Sequence, residues 1–424
     1  MSLKGSPAST ASAVVVSPAG AGPRFTALPP LSLYVHIPWC LRKCPYCDFN
    51  SHEAREAPDE AAYVDALLAD LESALPGVWG RKVGTVFIGG GTPSLFSPAA
   101  IDRLLSGLRA RLPMQPDAEV TLEANPGTFE RARFAGYWAA GVNRLSLGVQ
   151  SFSPRHLEAL GRVHGADEAR RAAEAAITIF GNVNLDLMFA LPGQTLAECE
   201  ADVAAALAFG TPHLSFYQLT IEPNTRFHHE PPPALPDHDL AADMQELVAA
   251  RLAGAGYARY EVSAYAKPGR ECAHNVNYWR FGDYLGIGAG AHAKVSLPDR
   301  IVREVRFKQP QQYLAGAAAG NAVMERRGIA RDEVGFEFML NALRLTGGVS
   351  AALFAERTGY PLAVVAAELA DGVRRGLIDA DPARIVATET GQRFLNTTLE
   401  MFLPATDRKT LVRIAPVASV EAPR

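Results

Sequence analysis

The sequence predicts an α/β fold: a partial (β/α)6 barrel over residues 31–290, then a smaller, mainly helical, winged-helix-like domain over 331–404. Three observations carry that expectation. From Leu31 onward, short β-branched runs alternate with longer helical patterns, the sign of βα units that share a parallel sheet. Each candidate strand is near-continuously apolar, as a strand covered on both faces must be. After Arg331 the pattern turns helical, with one short hairpin signal around Leu377–Ala387.

Taken in order, residues 1–30 are rich in Ser, Ala, Pro and Gly and read as a flexible tail, because they cannot bury enough apolar surface to order themselves. Only Ala13–Val16 approaches the apolar block of a signal peptide. Six strands are expected, at Leu33–Ile37, Thr85–Ile88, Glu119–Glu123, Arg144–Val149, Asn182–Met188 and His213–Leu219. The helices between them are amphipathic: Pro58–Leu75 carries Tyr63, Leu67, Leu68 and Leu71 on one stripe. In such folds ligands gather at the carboxyl ends of the strands, where the βα loops converge. Past Pro223 come a Pro/His-rich loop, a helix, an extended run Tyr257–Tyr265 and the Gly-rich segment 286–292, expected to extend or close the sheet. Residues 291–330 read as a connecting segment and 405–424 as a second loose tail.

Composition narrows the function. A chain of 424 residues, 48% hydrophobic, can bury a large core. Its formal net charge of -4 gives no attraction to nucleic acid or to anionic lipid. The winged-helix-like region is itself acidic, with seven Arg and no Lys against ten Asp and Glu, which favours a packing or lid role over DNA binding. No apolar run approaches the roughly 20 residues of a membrane span. The five cysteines, at 40, 44, 47, 199 and 272, are an odd and sparse set, which argues for a reducing, cytoplasmic compartment. Cys199 and Cys272 read as small buried thiols.

The remaining three cysteines are concentrated in YVHIPWCLRKCPYCDFN, where Cys40, Cys44 and Cys47 form C-x3-C-x2-C directly after the first strand. Three thiolates on one loop suit a [4Fe-4S] cluster, holding three irons and leaving the fourth open to a ligand. A zinc site completed by His36 or His52 is the alternative chemistry.

These residues resemble the radical SAM superfamily, and within it the branch that contains oxygen-independent coproporphyrinogen III oxidase and the HemW heme chaperones; the likeness runs from about Leu31 to Leu403. It implies a radical SAM barrel in which S-adenosylmethionine (SAM) chelates the open iron. By that resemblance Tyr34 packs against SAM, and Gly90, Gly91 and Thr92 approach its methionyl amine and carboxylate. Glu123 and Gln150 hydrogen-bond its polar groups, and Arg162 faces its carboxylate. Asp186 reaches the ribose or adenine, and Gln218 and His292 touch the adenosyl moiety. His36, His164 and His213 read as structural.

Two features separate the branches. The oxidase family places a fourth cysteine two residues after the third; here that position is Phe49, as in the heme chaperones. The run His274-Asn275-Val276-Asn277-Tyr278-Trp279 matches H-N-x-x-Y-W, which the resemblance associates with heme, making His274, Asn275, Tyr278 and Trp279 the expected heme b contacts. The implied function is a heme chaperone serving apo-hemoproteins such as respiratory enzymes. Its implied partners are heme and a cytoplasmic electron donor, with peripheral contact to the inner membrane and homodimerisation as further expectations. Two alternatives stand beside it: porphyrinogen decarboxylation by an oxidase, and a zinc-stapled regulator. The basic segment Arg303–Lys308 reads as an exposed charge run or as a partner for heme propionates.

Overall fold

The computed structural model describes residues 22–127 and 130–404. Six strands run parallel and adjacent in chain order: β1 (Leu31–Ile37), β2 (Val83–Gly90), β3 (Met114–Ala124), β4 (Arg144–Gln150), β5 (Val183–Phe189) and β6 (His213–Gln218). All six expected strands are present. β3 starts five residues early because its exposed amino end pairs with β2 only at Val83↔Met114. The sheet has twelve strands among the described residues. Asp283–Ile287 adds in parallel beside β1, and His292–Leu297, Arg300–Arg306 and Val323–Gly328 continue that edge antiparallel. The stretch 291–330 is therefore the sheet's edge, with its own helix Pro310–Ala318, and not a mere connection.

The helix expected over Pro58–Leu75 is Glu60–Ala74, started by the Asp59 carboxylate accepting from the Ala62 N–H. Its stripe buries Tyr63, Leu67 and Leu71 completely. The Tyr63 hydroxyl donates to the His36 carbonyl at 2.8 Å and accepts from the Ala289 N–H at 2.9 Å, tying β1 to the segment after the seventh parallel strand. Nearby, the two arginines of the segment expected as exposed charge turn inward, while Lys308 stays exposed. Arg306 is 1% exposed and pairs with Asp70 at 3.0 Å and Glu304 at 2.6 Å, while Arg303 pairs with Glu337. These cations answer buried carboxylates, whose desolvation demands a partner, so neither is free for propionates.

A second core belongs to the carboxyl-terminal unit, where Phe338, Phe354 and Ile385 are buried. Its hairpin closes through the Ile378↔Ala387 bridge, and Arg384–Ile385 pairs with Val349–Ser350. Part of the expected tail is held here: the Arg24 N–H donates to Gly359 O at 2.8 Å and Phe25 packs on this core. The other expected tail residues, 1–21 and 405–424, lie outside the described residues.

Between the two cores sits the short helix Ala273–Trp279, which holds the H-N-x-x-Y-W run. It seals the amino ends of the strands. His274 Nδ1 lies 2.8 Å from Thr85 Oγ1, and Asn277 donates to Ser32 Oγ at 2.8 Å and to Asp283 O at 2.9 Å. Glu119 accepts from the N–H groups of Ala273 and His274, the favourable place for a carboxylate beside a helix start. On the other side, Arg344 lies over the Trp279 ring at 4.4 Å and Phe281 meets Phe338 edge-on. No helix among the described residues is long and apolar enough to cross a membrane.

Candidate cofactor site at the carboxyl ends of the strands

A cavity of about 520 Å³ opens where β2 to β6 end, the size of one cofactor-sized ligand. Cys40, Cys44 and Cys47 line it, on a loop whose base is closed by parallel pairing of Trp39–Cys40 with His52–Glu53. Inside the loop the Cys47 N–H donates to Cys44 O at 3.1 Å, and outside it the Phe227 N–H donates to Pro45 O at 2.9 Å. Beneath it Trp39 meets Tyr63 edge-on at 4.7 Å and stacks with Phe96, which fixes the loop's exit from β1.

Eight of the residues expected around SAM line this cavity: Gly90, Gly91, Thr92, Glu123, Gln150, Arg162, Asp186 and Gln218. Gly91 is dictated by contact. A Cβ there would fall 2.5 Å from the Trp39 carbonyl, so only glycine lets β2 pass the cluster loop this closely. Thr92 donates its N–H to that carbonyl at 2.7 Å and accepts from Asn125 Nδ2 at 2.8 Å. Gln150 takes a left-handed φ of 68°, which costs a non-glycine residue and marks a bulge that re-aims its side chain at the strand end. Arg162 bridges the loops, donating to Asn125 Oδ1 and Gly148 O at 2.7 Å each and reaching Cys44 Sγ at 3.5 Å.

Two carboxylates face each other across the cavity. Glu123 accepts from the Gly90 N–H at 3.0 Å, and burial together with the Asp186 charge pushes its carboxyl up to about 8. Asp186 accepts from Ser146 Oγ at 2.7 Å and Asn184 Nδ2 at 2.9 Å, and burial raises it as well. Such a pair resists being doubly charged. A cationic ligand relieves it, and SAM carries both an ammonium and a sulfonium.

The donor set also fits a cluster. Cys40, Cys44 and Cys47 stand on one loop at the cavity wall, where three thiolates would hold three irons of a cubane and leave the fourth open to a ligand.

Two expected contacts fall elsewhere. Tyr34 lies a layer below the cavity, its hydroxyl 2.9 Å from His36 Nδ1 and its ring stacked on Phe87. His292 is exposed at the start of an antiparallel strand, because the left-handed turn through Gly288 and Gly290 reverses the chain and carries it away from the cavity. The expected heme ligand is sealed in. His274 is 1% exposed, ringed by Phe87 and Tyr278, with Nε2 unpartnered, and burial pushes it down to about 3. Asn275, Tyr278 and Trp279 are half-buried on the same helix, so no macrocycle reaches that imidazole in this conformation. His36, His164 and His213 are structural: each is buried and hydrogen-bonded, to Asn50 O, Val149 O and Asn184 Oδ1.

The sequence reading missed Asn125, Ser146 and Tyr217, which line the same cavity. Asn125 was findable, since it follows Glu123 by two residues at the end of β3 and precedes a proline. Arg133 and Tyr46 carry no local signal and are brought in only by packing.

The radical SAM superfamily model matches residues 34–206, and the HemN C-terminal domain model matches 329–394. A solved structure of coproporphyrinogen III oxidase (HemN) from Escherichia coli superposes with a TM-score of 0.76 at 25% identity, covering 89% of this chain and 91% of that one. The heme chaperone HemW of Escherichia coli is 49% identical over 378 residues, 89% of this chain and 99% of that protein. Those of Mycobacterium tuberculosis and Bacillus subtilis are 38% and 35% identical, each over 88% of this chain and over 95% and 99% of their own lengths. With relatives this similar along nearly their whole length, and with the cysteine loop and strand-end cavity in place, the chain belongs to the HemW family of radical SAM proteins.

Proposed function

We propose that this protein is a heme chaperone: it binds heme b and passes it to apo-hemoproteins such as respiratory enzymes, holding a [4Fe-4S] cluster on Cys40, Cys44 and Cys47 and SAM in the adjoining cavity. Near-full-length identity to relatives named heme chaperones carries the reading. Phe49 supports it, standing where the oxidase pattern has a cysteine. The same reading keeps the protein in the cytoplasm, with peripheral membrane contact and self-association as parts of the proposal.

A bound cluster supplies one-electron reduction of SAM. The chain's own residues hold and shield that chemistry. Glu123 and Asp186 answer the ligand's cationic groups, Arg162 takes its carboxylate, and Gly90, Gly91 and Thr92 let backbone approach it. Leu219 and Met188 keep water from the cavity floor.

Heme has two candidate seats. One is His274 with Asn275, Tyr278 and Trp279, which requires the sealing helix to leave. Its burial supports a seat at the cavity mouth instead, where Leu41 and Phe49 stand 62% and 61% exposed beside Val163, an apolar rim fit for a macrocycle.

The test is anaerobic reconstitution with iron and sulfide, addition of hemin, and absorption and EPR spectra with and without SAM. A cluster signal that SAM perturbs, plus a Soret band lost in Leu41→Glu/Phe49→Glu and retained in folded His274→Asn, is the expected result. Conversion of coproporphyrinogen to protoporphyrinogen by the same preparation would replace the chaperone reading with the oxidase one.

A further inference from the structure

The cluster loop has two sides, and only one faces the cavity. On the outer side is a depression of about 420 Å³ lined by Arg42, Lys43, Cys44, Cys47, Asn224 and Arg226, among others, so Cys44 and Cys47 reach both surfaces. No carboxylate is among its lining residues, in a chain whose net charge is -4. Asp48 and Glu222 line the inner cavity instead.

The cations of this depression are oriented without being neutralised. Arg42 donates to the carbonyls of Gly161 at 3.0 Å and Arg162 at 3.1 Å, and Lys43 donates to Phe49 O at 3.0 Å. Carbonyl partners fix a side chain's direction and leave its full positive charge standing. Only Arg226 has a carboxylate, Glu230 at 3.1 Å, in a pair whose side chains are 75% and 70% exposed and therefore weakly coupled. The depression is also anchored: Thr225 caps the short helix that carries Arg226, and Phe227 packs on Tyr46 of the cluster loop.

We propose that this outer face is the docking surface for an acidic one-electron carrier protein, resting on the cluster reading above. The argument is one of charge and access. A concentrated positive patch steers a negatively charged partner and raises its association rate by roughly 10- to 1000-fold at low salt. Because Cys44 and Cys47 line both surfaces, a carrier seated here sits next to the cluster's thiolates while the cavity stays available to SAM. In the transfer one electron leaves the carrier's reduced flavin or iron-sulfur centre and enters the cluster, and no bond forms or breaks.

The experiment uses the reconstituted full chain and a purified, photoreduced flavodoxin, following the bleaching of cluster absorbance by stopped flow. Reduction is expected to slow as salt rises from low to physiological ionic strength and to slow a further tenfold or more in Lys43→Glu/Arg226→Glu. Reduction by dithionite, iron and sulfide content and SAM binding are expected to match the parent. The milder Lys43→Gln/Arg226→Gln pair is expected to fall between, which guards against a folding defect. Salt-independent reduction, or a charge-reversed variant that flavodoxin reduces at the parental rate, overturns the proposal. So does loss of hemin binding in that variant with carrier reduction intact, which reassigns the cations to heme carboxylates. A parent that assembles no cluster overturns the cluster reading and this proposal together.

Discussion

The two ends of the barrel are built from similar residue types and do opposite things. At the carboxyl ends of the strands, Glu123 and Asp186 face each other over open space, Gln150 sits in a strained backbone, and three thiols share a loop. At the amino ends, Glu119, His274, Asn277 and Asp283 are folded into a hydrogen-bonded network beneath the helix Ala273–Trp279. There Lys294 and Ser296 answer Asp283 at 2.9 Å, and the lysine is 1% exposed. Polar residues inside a barrel thus carry no functional meaning by type. Their meaning comes from which end they occupy and whether a neighbouring side chain already satisfies them.

That contrast can be broken in graded steps. The largest effect belongs to the open end: Cys44→Ala is expected to abolish cluster assembly outright, read as iron and sulfide content, while thermal stability stays near that of the parent before reconstitution. At the closed end, His274→Ala is expected to cost roughly 2–5 kcal/mol, from a vacated aromatic-lined site and the lost Thr85 contact, with the midpoint of denaturant unfolding as its measure. If His274→Ala left stability untouched and removed only heme, the amino end would be a binding site after all.

Next comes Glu123. Burial and the Asp186 charge hold its carboxyl up to about 8, so binding a cationic ligand at neutral pH should expel a proton. SAM affinity is therefore expected to rise with pH up to about 8 and to flatten in Glu123→Gln, with calorimetry in buffers of different ionisation enthalpy counting the proton.

The smallest effect is the pH dependence of folding. Folded His274 stays neutral to about 3, and His36 and His164 to about 4, whereas an unfolded histidine protonates near 6.5. The unfolded chain binds more protons in that window, so stability is full above about 6.5 and falls as pH drops, by roughly 1.4 kcal/mol per unit for each such histidine. Melting curves between pH 7 and 5 should slope less, by one proton, in His274→Gln.

Much of this was legible in the chain. The six strands and the cysteine spacing are local signals, and the residues picked out at strand ends line one cavity because parallel βα topology converges there. The residues that the structure places away from the cavity share a feature. Tyr34 and Gly90 both lie on inner strands, yet only the latter reaches the cavity, since depth along a barrel is set by register and leaves no mark in periodicity. His292 follows a glycine turn whose direction depends on two positive φ values. The run at His274 is read as heme contacts through the resemblance, and nothing in it announces that Glu119, more than 150 residues earlier, accepts from the start of its helix.

The sealing helix also sets an order of events during synthesis. Cys40, Cys44 and Cys47 leave the ribosome more than 200 residues before Trp279. At ordinary elongation rates that interval is on the order of tens of seconds. Throughout it the nascent barrel is open at its base, Thr85 and Ser32 lack their late partners, and the thiol loop rests on an unfinished sheet. Assembly machinery that loads iron and sulfide during translation would meet a soft, reactive loop, whereas machinery acting after release would meet a rigid one.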